Sequence, residues 1–152
     1  MALSAEEIQN ATGVWSKIFA DAESNGSVVL SRMFKEYPHT VKYFKNFPEL
    51  QSVGETASAA EIAGLAEVQG HAKTVFTAFN DMVQHLENID ALKETATPLA
   101  KKHSEELKVD VKDFKILCDN LVDLVGEKQD EDAKSTFKKA VDVIYENIKA
   151  AY

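Results

Sequence analysis

An all-α fold of six to eight helices is what the sequence of 152 residues predicts. Two observations carry that expectation. Apolar side chains recur at steps of three and four through most of the chain, the spacing of one helix face. Runs of β-branched residues are few, and six glycines with three prolines are too sparse for a sandwich of many tight turns. At roughly 100–200 residues per domain, a single domain over residues 1–152 is expected.

The elements follow in order. Ile8, Trp15 and Phe19 share a face, and Ser4 three residues before Glu7 forms a capping box, so a first helix is expected from about Ala5 to Ala20. Ser24-Asn25-Gly26 then reads as an interruption. Val29, Leu30, Met33 and Phe34 begin a second apolar face that Pro38 stops, and a short helical turn precedes Pro48. Between Phe47 and Ala60 a longer loop is expected, ending at a second capping box, Ser58 with Glu61. Leu65, Val68, His71, Val75, Phe79, Met82 and Leu86 then mark the longest helix, which Glu87-Asn88 ends. Leu92, Ala96, Leu99, His103 and Leu107 form the next stripe. Proline is tolerated only near a helix start, so Pro98 predicts a helix from Thr97, as its cap, to Glu106. Phe114, Leu117, Leu121 and Leu124 open a further helix ending at Gly126. The last runs from about Asp132 through Phe137, Val141, Ile144 and Ile148 to Tyr152.

Composition removes several function classes. With one cysteine, Cys118, the chain has neither a disulfide framework nor a multi-thiol zinc or iron–sulfur site. A formal charge of −8 repels phosphate backbones and anionic lipid, which argues against nucleic acid or a membrane as partner. The Met1 end lacks the basic and apolar run of a signal peptide, and no apolar stretch approaches the ~20 residues of a membrane span. A cytoplasmic location is expected.

Two of the four histidines stand out. At 100° per residue, His71 lies at the border of its apolar stripe, whereas His103 is centred on its own among Leu92, Ala96, Leu99 and Leu107. His39 and His85 read as solvated. A buried imidazole needs a partner for each nitrogen, since an unsatisfied buried polar group costs about 1–3 kcal/mol. Backbone or water can supply those partners; so can a metal ion.

Along the chain, these residues fall into one pattern. Pro38-His39-Thr40-Val41-Lys42-Tyr43-Phe44-Lys45-Asn46-Phe47 resembles the corner after the second helix of globins. His71 with Val75 one turn on resembles the family's distal pattern, and Pro98-Leu99-Ala100-Lys101-Lys102-His103 its proximal one. The similarity extends from Trp15 through Gly26 and Leu30 to Val109, Phe114 and Ala150-Ala151-Tyr152. The chain is accordingly identified as similar to the globin family, haemoglobin- and myoglobin-like with cytoglobin-like parts and of an invertebrate or other non-vertebrate intracellular type.

The resemblance implies a globin fold packed around a haem b (iron protoporphyrin IX) that binds dioxygen and other diatomic gases. It implies His103 as the iron's proximal ligand, with its other ring nitrogen donating to the Leu99 carbonyl, and His71 as the distal, ligand-stabilising imidazole. Leu30, Val75 and Phe44 would wall the distal side, with Thr40, Tyr43 and Phe47 from the same corner. Leu99, Val109, Phe114, Leu117 and Ile144 would line the remainder. Tyr152 would donate to the carbonyl near Val109, and Gly26 with Ala72 would let two helices cross closely. No Cys-x-x-Cys-His is present, which excludes covalent haem attachment.

Some positions depart from the family. Asn46 and Leu107 stand where many globins place a charged or imidazole group near the haem propionates, leaving Tyr43, Lys45 and Lys102 as anchors. Phe137 replaces a tryptophan of several relatives. Oxygen transport or storage, with no catalytic residue, is the expected role. Its alternatives are nitric-oxide dioxygenation or peroxidase chemistry in the same pocket, and a six-coordinate sensor with His71 on the iron. A homodimer or higher homo-oligomer is compatible with each.

Overall fold

A computed structural model describes residues 3–152, and among them the regular structure is entirely helical. Helix α1 spans Ala5–Phe19, α2 Ala22–Glu36, α3 Pro48–Val53, α4 Ala59–Ala63 and α5 Ala66–Val83. Helix α6 spans Ile89–Lys101, α7 Val111–Lys128 and α8 Glu131–Ala151. A 3-10 helix over Pro38–Phe44 follows α2, and a π turn over Lys102–Glu106 follows α6.

The caps explain most of the starts. Ser4 accepts from the Glu7 N–H while Glu7 reaches back to the Ser4 N–H, and Ser58 and Glu61 repeat the device. Asn88, Asp110 and Asp130 cap α6, α7 and α8 in the simpler form. Each such cap is worth about 1 kcal/mol.

Five boundaries differ from the sequence expectation, each for a physical reason. Ser24-Asn25-Gly26 lies inside α2. A Cβ on Gly26 would fall 2.8 Å from that of Ala72, so the glycine marks a helix crossing and not a turn. The stretch after Phe47 is not a loop, because Pro48 sits in the first turn of α3, where its missing N–H costs nothing. The second capping box starts the short α4, which ends at Gly64 before α5 begins.

Helix α6 starts nine residues before Pro98, not at it, under the Asn88 cap. Leu92, Ala96 and Ala100 are buried on its inner face, while Glu94 and Pro98 are exposed. Water can satisfy the Glu94 carbonyl that Pro98 leaves unpaired, which lowers the cost of the proline. The stripe ends at His103, since Leu107 is 48% exposed. Helix α7 starts at Val111 and runs past Gly126, where a Cβ would meet only the flexible end of Lys134.

Two apolar clusters fill the interior. The larger surrounds Trp15, which packs between Phe76, Phe79 and Phe137 and donates from its indole N–H to Asn80 Oδ1 at 3.0 Å. The smaller gathers Leu30, Met33, Phe34, Leu50, Ile62, Val68 and Ala72 from α2 to α5. Leu117 on α7 packs against both.

Candidate functional site

Around that seam the side chains are half-buried, in contrast to the closed cores on either side. Val41, Phe44, Phe47 and Leu65 border the smaller cluster, and Val75, Leu99 and Phe114 the larger; none is fully covered. His71 and His103 belong to the same half-buried set. These half-buried apolar residues, with the two imidazoles, are the candidate walls of a cleft between the two clusters.

His71 projects from α5 onto the corner that follows α2. Its ring meets Phe44 edge-on at 5.0 Å and Phe47 at 5.5 Å. Phe44 in turn packs edge-on against the buried Phe34 at 5.0 Å, so the aromatic wall is anchored in the smaller core. Burial lowers the His71 pKa, and the His103 imidazole lowers it further. His71 is therefore held towards its neutral form, in which one ring nitrogen carries a proton and the other a lone pair.

His103 stands in the π turn that ends α6. Its Nδ1 lies 2.8 Å from the Leu99 carbonyl, so Nδ1 carries the proton and Nε2 presents its lone pair. Nε2 has no hydrogen-bond partner among the described residues, and the ring meets Phe114 edge-on at 5.1 Å. The corner beyond is pinned. The Val109 N–H donates to the His103 carbonyl at 2.7 Å, the Tyr152 hydroxyl donates to the Val109 carbonyl at 2.8 Å, and Lys108 between them takes a left-handed φ of 53°. π turns are frequent at functional sites.

Most other residues singled out in the sequence are more deeply buried or engaged with other groups. Leu30 and Ile144 are fully buried core residues, one in each cluster. Thr40 is fully buried, and its hydroxyl donates to the Tyr37 carbonyl at 2.7 Å, bracing the 3-10 helix. The Tyr43 hydroxyl donates to Asp113 Oδ2 at 2.6 Å, so it is committed within the protein. Lys45 and Lys102 are exposed. His39, read as solvated, keeps half its side chain in water but places Nε2 2.7 Å from Asp113 Oδ1.

Asp113 was not legible in the sequence, where it is one more acidic residue in the first turn of a helix. No local pattern announces partners in an element so distant along the chain. The same holds for Gln51, whose amide donates to the Val41 and Phe44 carbonyls and closes the end of the 3-10 helix. Glu67, which accepts from the Leu50 N–H and holds α3 to α5, is a third case.

The donor chemistry suits a largely apolar group bearing one metal ion. An imidazole whose Nδ1 is held by a carbonyl offers Nε2 as one nitrogen ligand when neutral, and among the described residues no three His, Cys, Asp or Glu side chains cluster. Aromatic and aliphatic walls supply the rest. Cys118 is buried on α7, with burial pushing its thiol up to about 12.

Comparison with known proteins gives one consistent answer. The family model described as Globin matches residues 27–151. Haemoglobin larval subunit beta-1 of Xenopus laevis is 37% identical over 126 residues, 83% of this chain and 78% of the relative. Haemoglobin subunit beta-2 of Xenopus tropicalis is 33% identical over 147 residues, covering 97% and 90%. Haemoglobin subunit beta-2 of Xenopus laevis is 37% identical over 125 residues, covering 82% and 78%.

Proposed function

The chain belongs to the globin family, and from that premise we propose that it holds haem b in the His71–His103 cleft and binds dioxygen reversibly, for transport or storage. The observation that carries this reading is the pairing of His103, with Nε2 left free by the Nδ1–Leu99 bond, with His71 biased towards neutrality across the same apolar walls. Bound haem supplies a ferrous iron with one coordination position for a diatomic gas.

The protein's own residues account for the rest. His103 offers Nε2 as the iron ligand, and the Leu99 carbonyl keeps its ring from turning. His71, held towards its neutral form by burial, would have one N–H to donate to a polar ligand without adding a charge. Phe44 and Phe47 fix the ring of His71 by edge contacts and exclude water from that wall. Phe114 does the same for His103. Lys45 and Lys102, exposed and cationic, are the propionate anchors of this reading; Tyr43 is less suited, since its hydroxyl is engaged with Asp113.

The peroxidase alternative lacks its usual helper. Arg32, the single arginine of the chain, is held in a two-point ion pair with Glu127 between α2 and α7, at 2.5 and 2.7 Å. A non-enzymatic carrier is therefore favoured, within one domain in the cytoplasm, alone or as a homo-oligomer. Among the described residues no helix is long and apolar enough to cross a membrane.

The test is reconstitution with haem, followed by absorption spectra and the same experiment on His103→Ala and His71→Leu. The His103 variant should lose haem readily; the His71 variant should retain it but release dioxygen and oxidise faster. Equal haem retention by wild type and His103→Ala would remove the proposed ligand. A six-coordinate low-spin deoxy ferrous spectrum would move the assignment to the sensor reading, with His71 on the iron.

A further inference from the structure

The Asp113 carboxylate is the hub of a polar knot that the cleft itself does not use. It is 9% exposed and receives two side chains from the 3-10 helix, His39 through Nε2 at 2.7 Å and Tyr43 through its hydroxyl at 2.6 Å. The Tyr43 oxygen also accepts from the Asp110 N–H at a longer 3.4 Å. Burial alone would raise the Asp113 pKa, but the bonds from Tyr43 and His39 outweigh it and hold the carboxyl below its ordinary value. Lys42, on the same 3-10 helix, adds a further favourable charge.

The placement matters more than the bonds. Tyr43 immediately precedes Phe44, the ring that meets His71. Asp113 immediately precedes Phe114, the ring that meets His103. Asp110, on the Tyr43 oxygen, follows Val109, whose N–H holds the His103 carbonyl and whose own carbonyl holds Tyr152. A path of hydrogen bonds and intervening backbone thus runs from the segment bearing Phe44, beside His71, to the corner that carries His103.

We propose that Tyr43 and Asp113 are positioning residues: a polar strut that fixes the wall bearing Phe44 relative to the corner bearing His103, and so transmits a shift on either side of the cleft to the other. The consequence for haem and its ligand rests on the function proposed above; the strut itself does not. His39 adds a second brace from the same helix, half in solvent and therefore the weaker of the two. Tyr37, edge-on to His39 at 6.3 Å, limits that ring's rotation.

The deciding experiment compares haem-loaded wild type with Tyr43→Phe, Asp113→Asn and, as a control at a remote surface ion pair, Lys138→Ala. Backbone hydrogen exchange is read over residues 38–47 and 103–114. Tyr43→Phe keeps the ring and removes only the hydroxyl. It should raise exchange about tenfold or more in both segments together, the effect of one lost hydrogen bond to a charged partner. Asp113→Asn, which still accepts from Tyr43 but is no longer an anion, should do the same to a smaller degree. Lys138→Ala should change neither.

Resonance Raman spectroscopy of the deoxy ferrous protein adds the readout that a merely structural role would leave still: Tyr43→Phe, a change on the His71 side, should shift the iron–histidine stretching band. A rise confined to residues 38–47, no rise in either segment, or an unmoved band with exchange altered would each overturn the strut. If Tyr43→Phe does not fold, the Asp113→Asn exchange pattern decides by the same criterion. A protein that takes up no haem overturns the function proposed above, while exchange in the haem-free chain still judges the strut.

Discussion

At the scale of single residues, burial and hydrogen bonding set opposite signs on groups that the sequence presents alike. Cys118 is 4% exposed, and burial pushes its thiol up to about 12. A thiol reagent at pH ~8 should therefore label it only at the rate of unfolding, because the thiolate is the reacting form; rapid stoichiometric labelling of the native protein would contradict this. Tyr152 is pushed up to about 12, mainly by burial, and its donated bond to Val109 is the last tie on the corner beyond His103. Tyr152→Phe should cost about 1 kcal/mol in denaturant unfolding. Asp113 runs the other way. Its folded pKa lies below the unfolded value, so its contribution is fully present above the ordinary carboxylate range, near 3.9, and is lost as pH falls through the lowered folded value. Asp113→Asn should lower stability at neutral pH and flatten the acid limb of the stability curve, as read by denaturant unfolding across pH. His71 and His103 stand out in the sequence as candidates because an imidazole on an apolar helix face is conspicuous in one dimension. Asp113 was not, because its meaning lies in two side chains of a distant element.

At the scale of elements, capping and periodicity carried further than chain breakers did. The two capping boxes stand where Ser4–Glu7 and Ser58–Glu61 place them. Proline and glycine misled where tertiary contacts overrode local preference. Pro98 sits inside α6 because its side of the helix faces water, and Gly26 sits inside α2 because α5 crosses there. The crowded Gly26 and the open Gly13 of α1 can be told apart by experiment. Gly26→Ala would put a Cβ 2.8 Å from Ala72 Cβ and 3.0 Å from the Ala72 carbonyl oxygen, neither of which is the end of a flexible chain. The clash, about 1–3 kcal/mol, should exceed the gain in helix propensity of up to ~1 kcal/mol, so the variant should be destabilised. Gly13→Ala in α1 meets nothing within 4 Å and should gain up to ~1 kcal/mol. Thermal unfolding of both in parallel checks the pair; the same sign in both would contradict the crossing as the reason for Gly26. The π turn under His103 had no sequence signal, since an extra residue in a helical turn leaves the apolar spacing on either side nearly unchanged.

At the scale of the whole molecule, the site follows from two cores that do not merge. The cluster around Trp15 and the cluster around Leu30 and Phe34 meet through Leu117, and the half-buried side chains at their seam hold His71 against one wall and His103 against the other. That the chain is helical, and that it is a globin, could be read from motif order along one dimension; which apolar residues close a core and which line the cleft could not. Leu30 and Ile144 are buried while Phe44, Phe47 and Phe114 remain partly open, and nothing in their residue types separates the two groups. The most direct test of the account is the absorption spectrum of one reconstituted sample in its ferric, deoxy ferrous and oxygenated forms. A five-coordinate high-spin deoxy form that converts reversibly to a stable oxygenated spectrum, with haem lost in His103→Ala, is the predicted result. Failure of the protein to take up haem, or retention of an unchanged deoxy spectrum in His103→Ala, would contradict it.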